Sequence, residues 1–336
     1  NNKKMLILGA TSGDTGSAAL EAFKSKSNSN IFIFFPYGRV SSVQQKQMTS
    51  IYQNNAKSVA IKTDFDGCQK IVKNLFNDIE FRDKFSLTSV NSINWGRLIP
   101  QIVYYFYGAL KVGAPDKKVI FSVPTGNFGN ILAGWVALKM GLPIEKLICG
   151  SNQNDILTRF YNTGVMKREE VIPSLSPSMD IQVSSNFERL LYELLDRDSE
   201  KLKYLMNNFE EESCFKLNNK VMKEFKKMFS AYRVEDKEIL ETIKLIYKKY
   251  NYIIDPHTAV GINAVNKAFS KNDIDKNYPV ISLACAHPAK FPETIFKSIN
   301  IYPKNPYLLE EVIKSKERFE VIEDRIPLIK NYIINN

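Results

Sequence analysis

VIFSVPTGNFGNILAGWVALKM, residues 119–140, runs from an unbroken apolar segment through a glycine-rich stretch into an apolar-periodic one. That order predicts a buried strand, a turn at Gly126-Asn127-Phe128-Gly129-Asn130 and the start of a helix. The N–H groups of a first helical turn have no partners inside the helix, and glycines let the main chain approach a ligand closely. The segment therefore predicts a cup for an anion such as a phosphate ester. MLILGATSGDTGSAALEAF, residues 5–23, has the same grammar: a buried-type strand, then Gly9, Thr11, Ser12, Gly13, Asp14 and Thr15, then an alanine-rich helix. Two such helix starts offer sites for two anions, with plain helix capping as the structural alternative at each.

Neither turn is a nucleotide fingerprint. GATSGDTG lacks the glycine spacing of the dinucleotide motif, no acidic residue stands at a strand end roughly 20 residues on, and GxxxxGK[ST] is absent. A nicotinamide or ATP site is disfavoured.

Around these turns, the first part of the chain alternates strand and helix patterns: MLILG, IFIFF, SVAIK and FSLTSV separated by helical runs. Short apolar strands joined by helices predict a small parallel sheet covered on both faces, assigned to a lobe over residues 1–92. An aromatic-rich helix from about Asn94 to Leu110 leads into a second α/β lobe over 93–336, with strands expected at 118–123, 146–150 and 279–285. Residues 185–250 carry long helical patterns (FERLLYELL, FKLNNKVMKEFKKMF, EILETIKLIYKKY) and few strand signals, which predicts a helical insertion.

With 336 residues, 44% hydrophobic and 24% charged, the chain is long enough for two lobes, and no apolar run is long enough for a bilayer, so no membrane partner is expected. The net charge of +10 raises the question of nucleic acid. Lysines and arginines are interspersed with acids, however, and cluster in helical periodicity at KEFKKM and IYKKY, which reads as solvated helix faces with a general pull on anionic metabolites. No nucleic-acid partner is expected. Cys68, Cys149, Cys214 and Cys285 lie far apart without CxxC spacing, as reduced thiols of a cytoplasmic protein would. Of the two histidines, His257, with Asp255 before it and Pro256 at a helix start, suggests a capping turn, and His287 lies just beyond a buried strand; without nearby carboxylate or thiol ligands they suggest no metal site.

The ordered segments GATSGDTGSAAL, FFPYGRVSSVQQKQM, NSINWGRLIPQIVYYFYG, VPTGNFGNILAGWVALKMGLPIEKL, SNQNDILTRF, LSPSMDI, SSNFERLLYELL, DPHTAVG and AHPAKF, from Lys4 to about Phe291, together resemble the threonine synthases of fungal and enterobacterial type. These are pyridoxal-phosphate enzymes of fold type II, the tryptophan-synthase-β family. The resemblance implies a two-lobed α/β fold of mainly parallel sheets flanked by helices, with pyridoxal 5'-phosphate as cofactor. It implies conversion of O-phospho-L-homoserine and water to L-threonine and phosphate, by elimination at Cγ and water addition at Cβ. Gly126, Asn127, Phe128, Gly129 and Asn130 take the cofactor phosphate in this reading, and Cys285 stands where relatives place a hydroxyl against the pyridine nitrogen. The loop of Thr11, Ser12, Gly13 and Thr15 takes the substrate carboxylate. Asp14 contacts the cofactor edge or serves the helix start, the second being favoured because a carboxylate repels an anion. Ser92, Asn94 and Arg97 of NSINWGR are assigned to the substrate, the forked guanidinium of Arg97 suiting a phosphate monoester. Arg39 and Lys290 are further anion candidates.

Pyridoxal phosphate works through a lysine that holds it as a Schiff base. In the family that lysine precedes the GATSGDTG strand, and Lys3 and Lys4 match the strand entry, so no catalytic residue is carried over. The chain is expected to be a fragment of a longer enzyme. The rivals are a threonine-synthase-like phospholyase that eliminates phosphate without making threonine, and a shortened, non-catalytic ligand-binding descendant.

Overall fold

A computed structural model of the chain describes residues 4–336 except Ser12, Tyr52 and Ser92. The chain folds into two compact units, one of residues 1–91 and 304–336, the other of residues 92–303.

The first unit opens with the strands β1 (Met5–Ala10), β2 (Ser29–Pro36), β3 (Ala56–Ile61) and β4 (Leu87–Ser89), separated by helices α1 (Asp14–Phe23), α2 (Ser42–Thr49), α3 (Phe65–Asn77) and α4 (Ile79–Phe85). The second contributes α5 (Trp95–Lys111), β5 (Val119–Pro124), α6 (Gly129–Lys139), β6 (Ile144–Ser151), α7 (Ile156–Thr163) and β7 (Val165–Lys167). It continues through α8 (Phe187–Leu194), α9 (Ser199–Glu211), β8 (Cys214–Lys216), α10 (Asn219–Met228), β9 (Phe229–Arg233), α11 (Asp236–Tyr250), α12 (Pro256–Ser270), β10 (Val280–Ser282) and α13 (Pro292–Ile299). The chain then returns to the first unit with α14 (Tyr307–Lys314), β11 (Glu320–Ile322) and α15 (Ile326–Ile334).

In the first unit the strands form one parallel sheet in the order β11-β3-β2-β1-β4. Successive side chains of a strand face opposite ways, and here both faces are apolar. Leu6, Leu8, Phe32 and Phe34 pack with Ile71 and Leu75 of α3 on one side, while Ile7, Ile31, Ile33 and Phe35 pack with Ala19 and Leu20 of α1 and Met48 of α2 on the other. The sheet covered on both faces is as the sequence predicts. The carboxy-terminal segment is not: the second lobe was expected to run to residue 336, whereas Ile329 and Ile333 of α15 complete the core beside Phe32 and Phe34, and β11 pairs with β3.

The second unit holds a parallel sheet in the order β10-β5-β6-β9 and a small antiparallel pair, β7 with β8. Phe121, Leu147 and Phe229 face a core built with α5, α6, α7, α8 and α10, and Ile120 and Ile148 face Ala264 and Ala268 of α12. Residues 185–250 are largely helical as expected, yet they also contain β8 and β9, and β9 is a full member of the main sheet. The strand anticipated over 279–285 ends at Ser282. Among the described residues no helix is long and apolar enough to cross a membrane.

Candidate active site

The turn singled out by its sequence joins β5 to α6. Phe128 is the N-cap of α6 and has φ 62°, left-handed backbone that turns the chain sharply into the helix. Its ring is buried against Phe187 and Phe229, so it anchors the turn in the core, and among the described residues no side chain caps the helix start. The first turn of α6 thus keeps the positive end of its dipole and its free N–H groups for a ligand.

The turn is held from behind. Ser184 Oγ donates to the Gly126 carbonyl at 2.8 Å, and the Asn186 N–H and Nδ2 both donate to the Asn127 carbonyl, at 3.1 and 3.0 Å. Tyr105 of α5 donates its hydroxyl to the Asn130 carbonyl at 2.7 Å. Gly126 is packed tightly: a Cβ there would lie 3.0 Å from the Ser178 carbonyl oxygen and 3.3 Å from Met179 Cα, so a side chain would have to displace that backbone.

A cavity of about 250 Å³ opens over this turn, lined by Arg97, Gln101, Pro124, Thr125, Gly126 to Asn130, Ser178 and Cys285. That volume is ample for a phosphate group. Arg97 and Gln101 lie one helical turn apart on α5, so both reach the same wall. The lining contains no carboxylate and no lysine, and Arg97 is its one formal charge. Ser178 Oγ and Gln101 Oε1 are buried without hydrogen-bond partners among the described residues. A buried polar atom without a partner is costly, so the wall is built to be completed by something polar. The donor set, an uncapped helix start, a guanidinium and a hydroxyl, fits a phosphate monoester.

A buried network carries the far wall. Asp255 caps α12 by accepting from the His257 and Thr258 N–H groups, and its carboxylate also meets His257 Nδ1 at 3.1 Å and the Thr258 hydroxyl. His257 Nε2 accepts the Ser178 N–H at 3.2 Å, and Thr258 Oγ1 accepts the Cys285 N–H at 3.2 Å. The Ser178 turn, residues 177–179, is further fixed by Asp180, which accepts from Asn152 Nδ2 at 2.7 Å, Asn154 Nδ2 at 2.9 Å and the Ser174 N–H at 2.9 Å. Burial raises the Asp180 carboxyl above its ordinary range against the pull of those donors.

In the first unit, the turn after β1 is stabilised from within. Thr11 is 2% exposed, and its Oγ1 accepts the N–H groups of Gly13 at 3.0 Å and Gly16 at 2.9 Å. Gly13 has φ 141°, and a Cβ there would stand 2.7 Å from the Gln44 side chain. Gln44 is fully buried and its Nε2 has no partner among the described residues, an amide donor beside the turn that the sequence did not reveal. Asp14 is the first residue of α1, where a negative charge is favourable whether or not it touches a ligand.

The structure therefore gathers Gly126, Asn127, Phe128, Gly129, Asn130, Arg97 and Cys285 around one cavity. Asn94 caps α5, accepting the Gly96 N–H at 2.8 Å. Ser12 and Ser92 lie outside the described residues. Cys285 is exposed, three residues past β10, and not at the end of the strand expected over 279–285. Arg39 is in an exposed turn after β2, and Lys290 lies in the short turn 288–290 whose N-cap is His287. Gln101, Ser178 and Gln44 were missed by sequence reasoning, since burial without a partner leaves no trace in a sequence.

The family model for the carboxy-terminal region of threonine synthase matches residues 258–333. Threonine synthase of Pseudomonas aeruginosa is 42% identical over 332 residues, spanning 98% of this chain and 70% of that protein. Threonine synthase of Saccharomyces cerevisiae is 42% identical over 355 residues, spanning 98% of this chain and 69% of the yeast protein. The crystal structure of PLP-bound threonine synthase from Brucella melitensis superimposes with a TM-score of 0.90 at 45% identity, covering 99% of this chain and 71% of that one. The chain belongs to the threonine synthase family of pyridoxal-phosphate enzymes, with fold type II.

Proposed function

We propose that this chain carries the cofactor-phosphate and substrate-binding parts of an enzyme that converts O-phospho-L-homoserine and water to L-threonine and phosphate. The observation that carries the reading is the cavity at the start of α6, whose only charged lining residue is an arginine and whose glycine turn is packed too tightly for a side chain to enter without moving backbone. Gly126 to Asn130 hold the cofactor phosphate through the free N–H groups of the helix start. Cys285 stands against the pyridine nitrogen, supported by its place in the same lining and by Thr258, which fixes its backbone. When bound, pyridoxal phosphate would supply an electron sink for negative charge developing on the amino-bearing carbon.

The chain's own residues orient and neutralise charge. Arg97 pairs with the substrate phosphate, together with Asn94, whose side-chain oxygen is already engaged in capping and whose amide donor serves the ligand. Ser92 belongs to the same assignment. The turn of Thr11, Ser12, Gly13 and Thr15 takes the substrate carboxylate, with Gln44 Nε2, unpartnered among the described residues, close beside Gly13. Thr11 acts indirectly, because its oxygen already accepts two N–H groups and so shapes the turn.

The test is product analysis of the full-length gene product with O-phospho-L-homoserine and pyridoxal phosphate. Threonine and inorganic phosphate in equal amounts support the reading. Phosphate released without threonine would make the protein a phospholyase. No lysine of residues 1–336 matches the family's Schiff-base position, so pyridoxal phosphate is expected to bind this chain reversibly, and borohydride is expected to fix it to no single lysine. Stoichiometric labelling of one lysine with threonine formation by residues 1–336 alone would refute that assignment.

A further inference from the structure

We propose that Ser178 is a ligand of the cofactor phosphate, donating its hydroxyl proton to a phosphate oxygen, and that the buried pair His257 and Asp255 is the device that positions it. The inference rests on the reading of the α6 cavity as the phosphate site. It adds a donor from a segment 50 residues away in the chain that no glycine motif announces.

Four observations converge on Ser178. It lines the cavity together with the first turn of α6. Its Oγ is buried and has no partner among the described residues, although serine hydroxyls ordinarily find one when buried. Its carbonyl oxygen lies 3.0 Å from the position of a Cβ on Gly126, so its backbone is in near contact with the phosphate-binding turn. Its N–H donates to His257 Nε2 at 3.2 Å.

The last contact defines the tautomer. A ring nitrogen that accepts an N–H carries no proton itself, so the imidazole proton is on Nδ1, directed at the Asp255 carboxylate 3.1 Å away. His257 is 3% exposed and Asp255 1%, and the ring packs on Phe291 with centroids 4.9 Å apart. The imidazole is therefore held by a carboxylate on one edge and an aromatic ring on one face, and it passes that fixed position to the Ser178 backbone. His257 and Asp255 are not lining residues of the cavity. They act through Ser178 and are positioning residues.

The test measures equilibrium binding of pyridoxal phosphate, inorganic phosphate and pyridoxal to the protein by calorimetry, together with thermal unfolding in the absence of ligand. Ser178→Ala is expected to weaken pyridoxal phosphate and phosphate about tenfold or more, the scale of a hydrogen bond to a charged group, while leaving pyridoxal unchanged. Unliganded Ser178→Ala should melt no lower than the parent, because the hydroxyl removed has no partner among the described residues. Ser178→Thr should restore most of the phosphate affinity. In a His257→Asn background the same Ser178→Ala step should lose most of its effect. If His257→Asn does not fold, the Ser178 arms decide alone.

Equal weakening of pyridoxal and pyridoxal phosphate by Ser178→Ala, or a melting temperature lowered without change in affinity, overturns the inference. Gly126→Val separates the two levels of argument. If it abolishes pyridoxal phosphate binding while Ser178→Ala does nothing, the phosphate site stands and the Ser178 assignment falls. If neither variant affects phosphate binding, the site reading falls and takes the inference with it.

Discussion

Asp255 shows how much one side chain can organise. Burial works against its ionised form, but the hydrogen bonds and nearby ring of His257 and the Thr258 hydroxyl outweigh it and hold the carboxyl below the usual carboxylate range. A folded pKa below the unfolded one means stability that is present above the unfolded value, about 3.9, and lost as pH falls through the lower folded value. Asp255→Asn should therefore be less stable than the parent at neutral pH, by about 1–3 kcal/mol for charged hydrogen bonds lost. The gap should narrow as pH falls below about 4. Urea denaturation of both proteins from pH 7 to pH 3 checks this; a gap that stays constant or widens in acid would show that the carboxylate's charge is not what the network uses. The sequence led to Asp255, Pro256 and His257 as a capping turn, which the structure bears out. The link from that turn to Ser178 and Cys285 was illegible, because it joins backbone groups 79 and 27 residues apart through side-chain hydrogen bonds.

At the scale of elements, the strands and helices that could be read were those whose apolar pattern has one explanation. VIFSV and the periodic run after GNFGN specify β5 and α6 because a buried strand and a packed helix both follow from local composition. β9 was not legible: FSAYR follows directly on the helical pattern of KEFKKM, and its role is set by pairing with β6, more than 75 residues earlier in the chain. The contact of α5 with α6 exposes a similar limit of local rules. Replacing a helical glycine with alanine stabilises a helix by about 1 kcal/mol on propensity alone. At Gly134 of α6, however, a Cβ would stand 2.4 Å from the Tyr105 ring, which is fully buried, hydrogen-bonded to Asn130 and tilted against Phe121. The ring cannot swing aside, so Gly134→Ala is expected to destabilise the protein by about 1–3 kcal/mol net of any propensity gain. Circular dichroism melts of Gly134→Ala and of Gly134→Ala with Tyr105→Phe would measure it. Because the overlap involves ring carbons and not the hydroxyl, the second substitution should give no relief.

Across the whole molecule, the family region at residues 258–333 spans the boundary between the units: it supplies most of α12, β10 and α13 to the second and α14, β11 and most of α15 to the first. That return was hidden because β11 is three residues of mixed polarity at a sheet edge, and only the positions of Ile329 and Ile333 one helical turn apart hint at a buried face. Ile329 is fully buried in the cluster that holds Leu8, Phe34 and Val59, so Ile329→Ala removes side-chain volume from the core of the first unit and leaves a cavity there. Such truncations cost about 2–5 kcal/mol, a large part of the 5–15 kcal/mol that usually holds a domain together. The two units have separate cores, so the loss should be local in its first effect. Amide hydrogen exchange at neutral pH is expected to speed up in β1, β2 and β3 while β5 and β6 keep their protection, because the free energy of opening is lowered only where the cavity lies. Uniform acceleration in both sheets would mean that the units unfold as one cooperative body, and the division at residues 91 and 304 would then describe packing without describing stability.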